Sequence, residues 1–187
     1  MNAELITARD MIASGDTPCK LYDWYHGLLP NGLPRGVLAE YIAGHLGVST
    51  SRIERKPARD FADLKGLTLI TAERTEVSCG SYSDGNDELR FTTDLGEIYA
   101  LYHIRDCCES VTIEDICGDL DDLVGSEILL AEESIQERPD GCEEWQDASE
   151  TWTFYKMATH KGAVTIRWFG SSNGYYSESV DFRRVKQ

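Results

Sequence analysis

The sequence predicts an α+β protein: a small helical, helix-turn-helix-like module over residues 1–65, followed by an acidic antiparallel β-sheet or sandwich domain over residues 66–187. Three observations predict it. Apolar residues recur at helical spacing as far as Lys65, and from Gly66 onward their period is two. The second part falls into short segments rich in β-formers and bounded by turn residues. Most of its connections are too short for the crossovers that a parallel sheet requires, which makes successive strands antiparallel neighbours.

In chain order, Ala3–Ala13 clusters Leu5, Ile6, Ala8 and Ile12 on one helical face, and Ser14-Gly15-Asp16 ends the pattern. A second helix comes next, with Thr17 as N-cap, Pro18 at the first helical position and Leu21, Trp24, Tyr25 and Leu28 as its buried stripe. Leu29 to Pro34 reads as a turn or linker. Val37 to Lys56 has the spacing of a helix-turn-helix unit: Ala43 is small where helices cross, Gly47 sits where the turn needs positive φ, and Val48 and Ile53 plug the angle. Ser49 caps the second helix and Pro57 stands after its end.

About eight strands are expected beyond Gly66: around 67–72, 89–93, 98–103, 111–116, 128–131, 152–157, 164–169 and 176–182. Asp94-Leu95-Gly96, His160-Lys161-Gly162 and Ser172-Asn173-Gly174 read as tight turns, the last being the strongest hairpin signal. A short helical break is expected near Gly118 to Val124, and residues 136–150 read as an exposed acidic loop. Trp152, Phe154, Ile166 and Trp168 are the expected aromatic and aliphatic core.

Charge is distributed unevenly. The chain carries 33 acids and 18 bases, a net charge of −15, yet residues 1–65 balance eight acids with eight bases. Residues 106–150 hold sixteen acids against Arg138 alone. A whole-molecule attraction to nucleic acid or anionic lipid is excluded, and one acidic face toward a basic partner is expected. No apolar run reaches the ~20 residues of a bilayer span, and the first ten residues have acids where a secretory signal would be basic. A cytoplasmic location is the expectation. There the six cysteines would be thiols or metal ligands.

The second domain carries several long, distinctive strings. They are Tyr102-His103-Ile104-Arg105-Asp106-Cys107-Cys108-Glu109-Ser110-Val111, Ile113 through Leu123 (IEDICGDLDDL), Trp152-Thr153-Phe154-Tyr155-Lys156, Val164-Thr165-Ile166-Arg167-Trp168 and Ser172 through Val180 (SNGYYSESV). Over residues 66–185 these resemble a domain of unknown function that recurs in proteins of bacteriophages and prophages. The resemblance implies a phage-type context, with the cytoplasm of a bacterial host cell as the location, and brings no activity with it.

The densest set of reactive side chains is His103, Asp106, Cys107, Cys108, Glu109, Glu114, Asp115, Cys117, Asp119, Asp121 and Asp122. Its spacing argues against structural zinc, because adjacent cysteines on an extended chain point to opposite sides and no second Cys-x-x-Cys pair exists. Asp119 to Leu123 also lacks the alternation and distal glutamate of a calcium loop. It reads equally as the start of a short helix capped by Asp119. Cys107 or Cys108 with His103 or His160 would be needed for nucleophilic catalysis, and sequence does not establish their proximity. No Walker, dinucleotide, Ser-elbow or paired-His motif is present.

No catalytic residue, cofactor or metal is therefore expected. The leading reading is a noncovalent, phage-type binding protein acting against a host defence or nucleic-acid-handling protein, as anti-CRISPR inhibitors do. Its partner surface would comprise Glu109, Glu114, Asp115, Asp119, Asp121, Asp122 and Tyr175. One alternative is a helix-turn-helix DNA-binding regulator using Arg52, Arg55 and Lys56. The other is a metal-dependent enzyme built on the His103 to Asp122 cluster.

Overall fold

The computed structural model describes residues 3–28, 35–77, 86–137 and 149–185. It divides into two units, Met1–Pro57 and Ala58–Gln187.

The first unit holds four helices: α1 Ala3–Ala13, α2 Pro18–Gly27, α3 Arg35–Leu46 and α4 Thr50–Glu54. The expected caps are in place, with Thr17 accepting from the Lys20 N–H and Ser49 from the Arg52 N–H. Gly47 turns the chain between α3 and α4 at φ +70°. Leu38, Ala39, Ile42, Ala43 and Ile53 form the core with Leu21, Tyr22 and Tyr25. Tyr22 lies outside the expected stripe of α2; it is buried because its hydroxyl reaches the carbonyl of Arg55 across the unit. The turn expected over 29–34 lies outside the described residues.

The second unit contains eight strands: β1 Leu69–Val77, β2 Asn86–Thr93, β3 Ile98–Tyr102, β4 Glu109–Cys117, β5 Leu130–Glu137, β6 Ser149–Ala158, β7 Ala163–Ser172 and β8 Asp181–Val185. They form two antiparallel four-stranded sheets, ordered β1-β2-β3-β8 and β4-β7-β6-β5. Leu89, Phe91, Tyr99 and Leu101 of the first sheet share one core with Val111, Ile113, Tyr155, Met157, Val164, Ile166 and Trp168 of the second. The expected α+β class, with helices first and antiparallel strands after, is what the structure shows.

Four expectations are corrected. The division falls at Pro57 rather than Lys65, because residues 58–65 pack with the strands. Their 3-10 turn, Phe61–Leu64, buries Phe61 at 4.7 Å from Tyr155 and 5.9 Å from Phe182. Residues 176–180 are not strand, and the Asn173-Gly174 turn does not close a hairpin. The chain leaves β7 there and enters the other sheet, where β8 pairs with β3. Local bonds favour this loop, as Tyr175 N–H donates to Asn173 Oδ1 and Ser179 N–H to Ser177 Oγ. Finally, the face of β6 is the reverse of the expected one. Thr153, Tyr155 and Met157 point inward, while Trp152 and Phe154 are half-buried and Trp152 packs on Phe169 at 5.1 Å.

Two buried acids tie the second unit together. Asp87 takes two hydrogen bonds from Arg74 on one oxygen (2.9 and 2.7 Å) and the Ile113 N–H on the other (2.7 Å). Glu97 accepts from the Tyr99 hydroxyl at 2.8 Å and lies 3.5 Å from Arg184. Burial, then the charge of Glu97, pushes the Tyr99 phenol well above its ordinary range; burial and then Glu133 do the same to Tyr155.

Gly118, which ends β4, stands at φ +105°, and a Cβ there would lie 2.4 Å from the Ala163 carbonyl oxygen. Gly118→Ala is expected to lose at least about 2 kcal/mol of stability in denaturant titration. The two raised phenols set a pH limit. A phenol whose folded-state range lies above its unfolded one stabilises fully below pH ~10, and that contribution is lost as pH rises further. The urea midpoint should fall above that pH, with a shallower fall in Tyr155→Phe.

Candidate functional site

The loop between β3 and β4, residues 103–108, crosses from one sheet to the other and meets the 173–180 loop at the same end of the second unit. Its foundation is buried. His103 Nδ1 bonds the Ser179 carbonyl at 2.8 Å and Nε2 lies 3.3 Å from Glu109 Oε1. The same Glu109 oxygen accepts the Asp106 N–H, and Oε2 is buried without a hydrogen-bond partner among the described residues. The facing loop is pinned in turn by Ser149 Oγ donating to buried Glu178, and by the Tyr155 hydroxyl donating to the Val180 carbonyl at 3.3 Å.

Exposed side chains stand on this foundation. Cys108 adopts φ +58°, a left-handed conformation costing roughly 1–2 kcal/mol in a residue with a Cβ. The turn brings Cys107 Sγ and Cys108 Sγ to 3.1 Å, both exposed. The expectation that adjacent cysteines diverge is thereby corrected, since it holds only for extended backbone. Tyr176 lies beside Cys107; the Cys107 sulfur, then burial and Asp106, raise its phenol above the ordinary value. The hydrogen bond to Cys107 is likewise the first cause that pushes the Cys108 thiol up.

Neither histidine expected as a partner for these thiols is placed as one. Both ring nitrogens of His103 are engaged with Ser179 and Glu109, and His160 lies in the turn between β6 and β7. Among the described residues no group of three or more His, Cys, Asp or Glu side chains is arranged to hold a metal ion.

The expected acidic surface is dispersed along β4 and the turn after it. Glu109 is not part of any surface: its side chain is 1% exposed, and it serves to anchor the loop. Glu114 and Asp115 are exposed, at the strand's bulge, and share Arg167 at 2.8 and 4.0 Å. Asp115 also accepts from the Cys117 thiol, which that bond holds in its protonated form. Asp119 caps the 3-10 turn Leu120–Leu123 by accepting from the Asp121 N–H. Asp119 and Asp121 are exposed and Asp122 is half-buried. Tyr175, 85% exposed, is at the opposite end of β4, roughly 30 Å away for a nine-residue strand. One continuous patch of all seven residues therefore does not exist.

The residues assigned to DNA are also separated. Arg52 is buried, with its guanidinium 5.6 Å from the centre of the Tyr22 ring, whereas Arg55 is half-buried at the end of α4 and only Lys56 is exposed. With five residues, α4 is shorter than a helix that reads a groove along its length. The sequence missed Tyr176 as a neighbour of the thiols; the left-handed turn that brings them together is a non-glycine conformation, which has no sequence signature.

Compared with known proteins, residues 58–182 match the model of a domain of unknown function, DUF7448, whose start coincides with the start of the second unit. No curated protein and no solved structure matches the chain.

Breaking the buried pair tests the loop's foundation. Removing one member leaves the other buried with a hydrogen bond lost, at a typical cost of about 1–3 kcal/mol. Glu109→Ala and His103→Ala should each lose stability on that scale in denaturant titration, and the double variant should lose less than the two together. Additive losses would show that the pair is not coupled.

Proposed function

We propose that this chain, which belongs to the DUF7448 family of domains of unknown function, is a noncovalent binding protein that presents fixed acidic charge to a basic partner surface. The observation that carries this reading is the stretch from residue 106 to 137, which holds eleven acids and no base. Of these only Glu109 is buried; the rest are partly or fully exposed on β4, β5 and the turns before and between them. Charges held by a folded frame steer a basic partner and contribute at the interface more than mobile ones do.

The partner surface is narrower than the sequence suggested. Arg167 offsets Glu114 and Asp115, and Glu109 is inside. Asp119 and Asp121 remain exposed at the end of β4, together with Glu127. An arrayed set of carboxylates can imitate phosphates, which in duplex DNA supply one charge per roughly 1.7 Å of axis. The reading is therefore a phage-type accessory protein acting in a bacterial cell on a host defence or nucleic-acid-handling protein, with anti-CRISPR-like inhibition as its concrete form. The alternative of a DNA-binding regulator is disfavoured by the burial of Arg52 and the shortness of α4. The metal-dependent enzyme is disfavoured by the dispersal of its ligands among the described residues.

The test is capture from nuclease-treated bacterial lysate, followed by binding measurements on the captured protein. A basic partner is expected, displaced by added duplex DNA. Asp119→Lys with Asp121→Lys should weaken it at least about tenfold at low salt, chiefly through the association rate. The same reversal at Glu143 and Glu144, which lie outside the described residues, should change it little. Capture of DNA, no capture, or equal effects of the two reversals would overturn the proposal.

A further inference from the structure

We propose that Cys107 and Cys108 are a reversible oxidation site, at which a low-molecular-weight disulfide converts the adjacent thiols to a disulfide bond between neighbouring residues. Three observations carry it. The two sulfurs are exposed and already 3.1 Å apart, against ~2.05 Å in the bond. Their convergence comes with the left-handed backbone at Cys108, φ +58°. The loop is also pinned on both sides of the pair, by His103 on Ser179 and by the Asp106 N–H on Glu109.

The exchange takes two steps. One of the two exposed thiols attacks first, as its thiolate. Its sulfur, having released its proton, forms a bond to one sulfur of the small disulfide as the original S–S bond breaks and the first thiolate leaves. The other cysteine then loses its proton and attacks the first one's sulfur, forming the bond between the two cysteines and expelling the second thiolate. The two protons end on the two released thiols. Two protein thiols are oxidised and one small disulfide is reduced.

Pre-organisation makes the second step intramolecular and fast. Neighbouring Cα atoms, ~3.8 Å apart, are closer than the ~4.4–6.8 Å of ordinary disulfides, so the bond is strained and easily reduced. This site is thus suited to a reversible change and not to permanent bracing.

The test uses the full chain with oxidised glutathione as the probe, followed by alkylation under denaturing conditions, digestion and mass spectrometry. The wild type should yield a peptide in which Cys107 and Cys108 are both unalkylated, lighter by two hydrogens and free of glutathione, and an excess of reduced glutathione should reverse it. Cys108→Ser should trap glutathione on Cys107, and Cys107→Ser should trap it on Cys108. Cys117→Ser should leave the reaction unchanged. A stable glutathione adduct on the wild-type pair, pairing of either residue with Cys79, Cys117 or Cys142, or failure of the pair to react would overturn the proposal.

Discussion

The carboxylate of Asp87 is the interaction on which the rest of the second unit depends. It sits on β2, buried, and takes Arg74 on one oxygen and the Ile113 N–H of β4 on the other. β4 is an edge strand of its sheet, paired on one side with β7. An edge strand has a row of N–H groups that no partner strand satisfies. Asp87 supplies an acceptor for one of them from the opposite sheet, immediately before the bulge between Ile113 and Asp115. Such a bond ties the sheets in register as well as in distance, because an acid buried without these donors would be costly.

Much of the remaining chemistry is arranged along β4. At its beginning Glu109 turns inward to His103 and holds the crossing loop with its two thiols. At its bulge Glu114 and Asp115 share Arg167, and at its end Gly118 passes close to β7 before Asp119 caps the next turn. The other edge of the same sheet is β5, with Glu132, Glu133 and Glu137 exposed. Acidic residues thus line both open edges. Like charges at an edge repel a second copy of the strand. Asp119 and Asp121 stand outside either strand, and that repulsion does not account for them.

The helical unit obeys a different logic. Arg52 is there a packing residue: its guanidinium lies on Tyr22, whose hydroxyl holds the carbonyl of Arg55. His26 adds a bond from its ring to the Ile53 carbonyl at 2.9 Å. A positive charge used to hold α2 against the end of α4 is not free to contact phosphate. Resemblance to a helix-turn-helix is here a resemblance of packing, carried by Ala43, Gly47 and Ile53.

By itself the sequence determined the features that depend on neighbours along the chain. The caps Thr17, Ser49 and Asp119, the turns at Gly47 and Gly96, the change of period and the antiparallel class all come from local backbone and side-chain chemistry. Which sheet a strand joins is not local: β7 and β8 are separated by a strong turn sequence and still belong to different sheets. Nor does alternation say which of its two faces is inside, and so Tyr155 is buried where Trp152 was expected. The site was decided at the same level. Glu109 and Glu114 are identical in kind, yet one is a buried anchor and the other a surface charge. The difference lies in what each strand position faces, and only the packing of one sheet on another determines that.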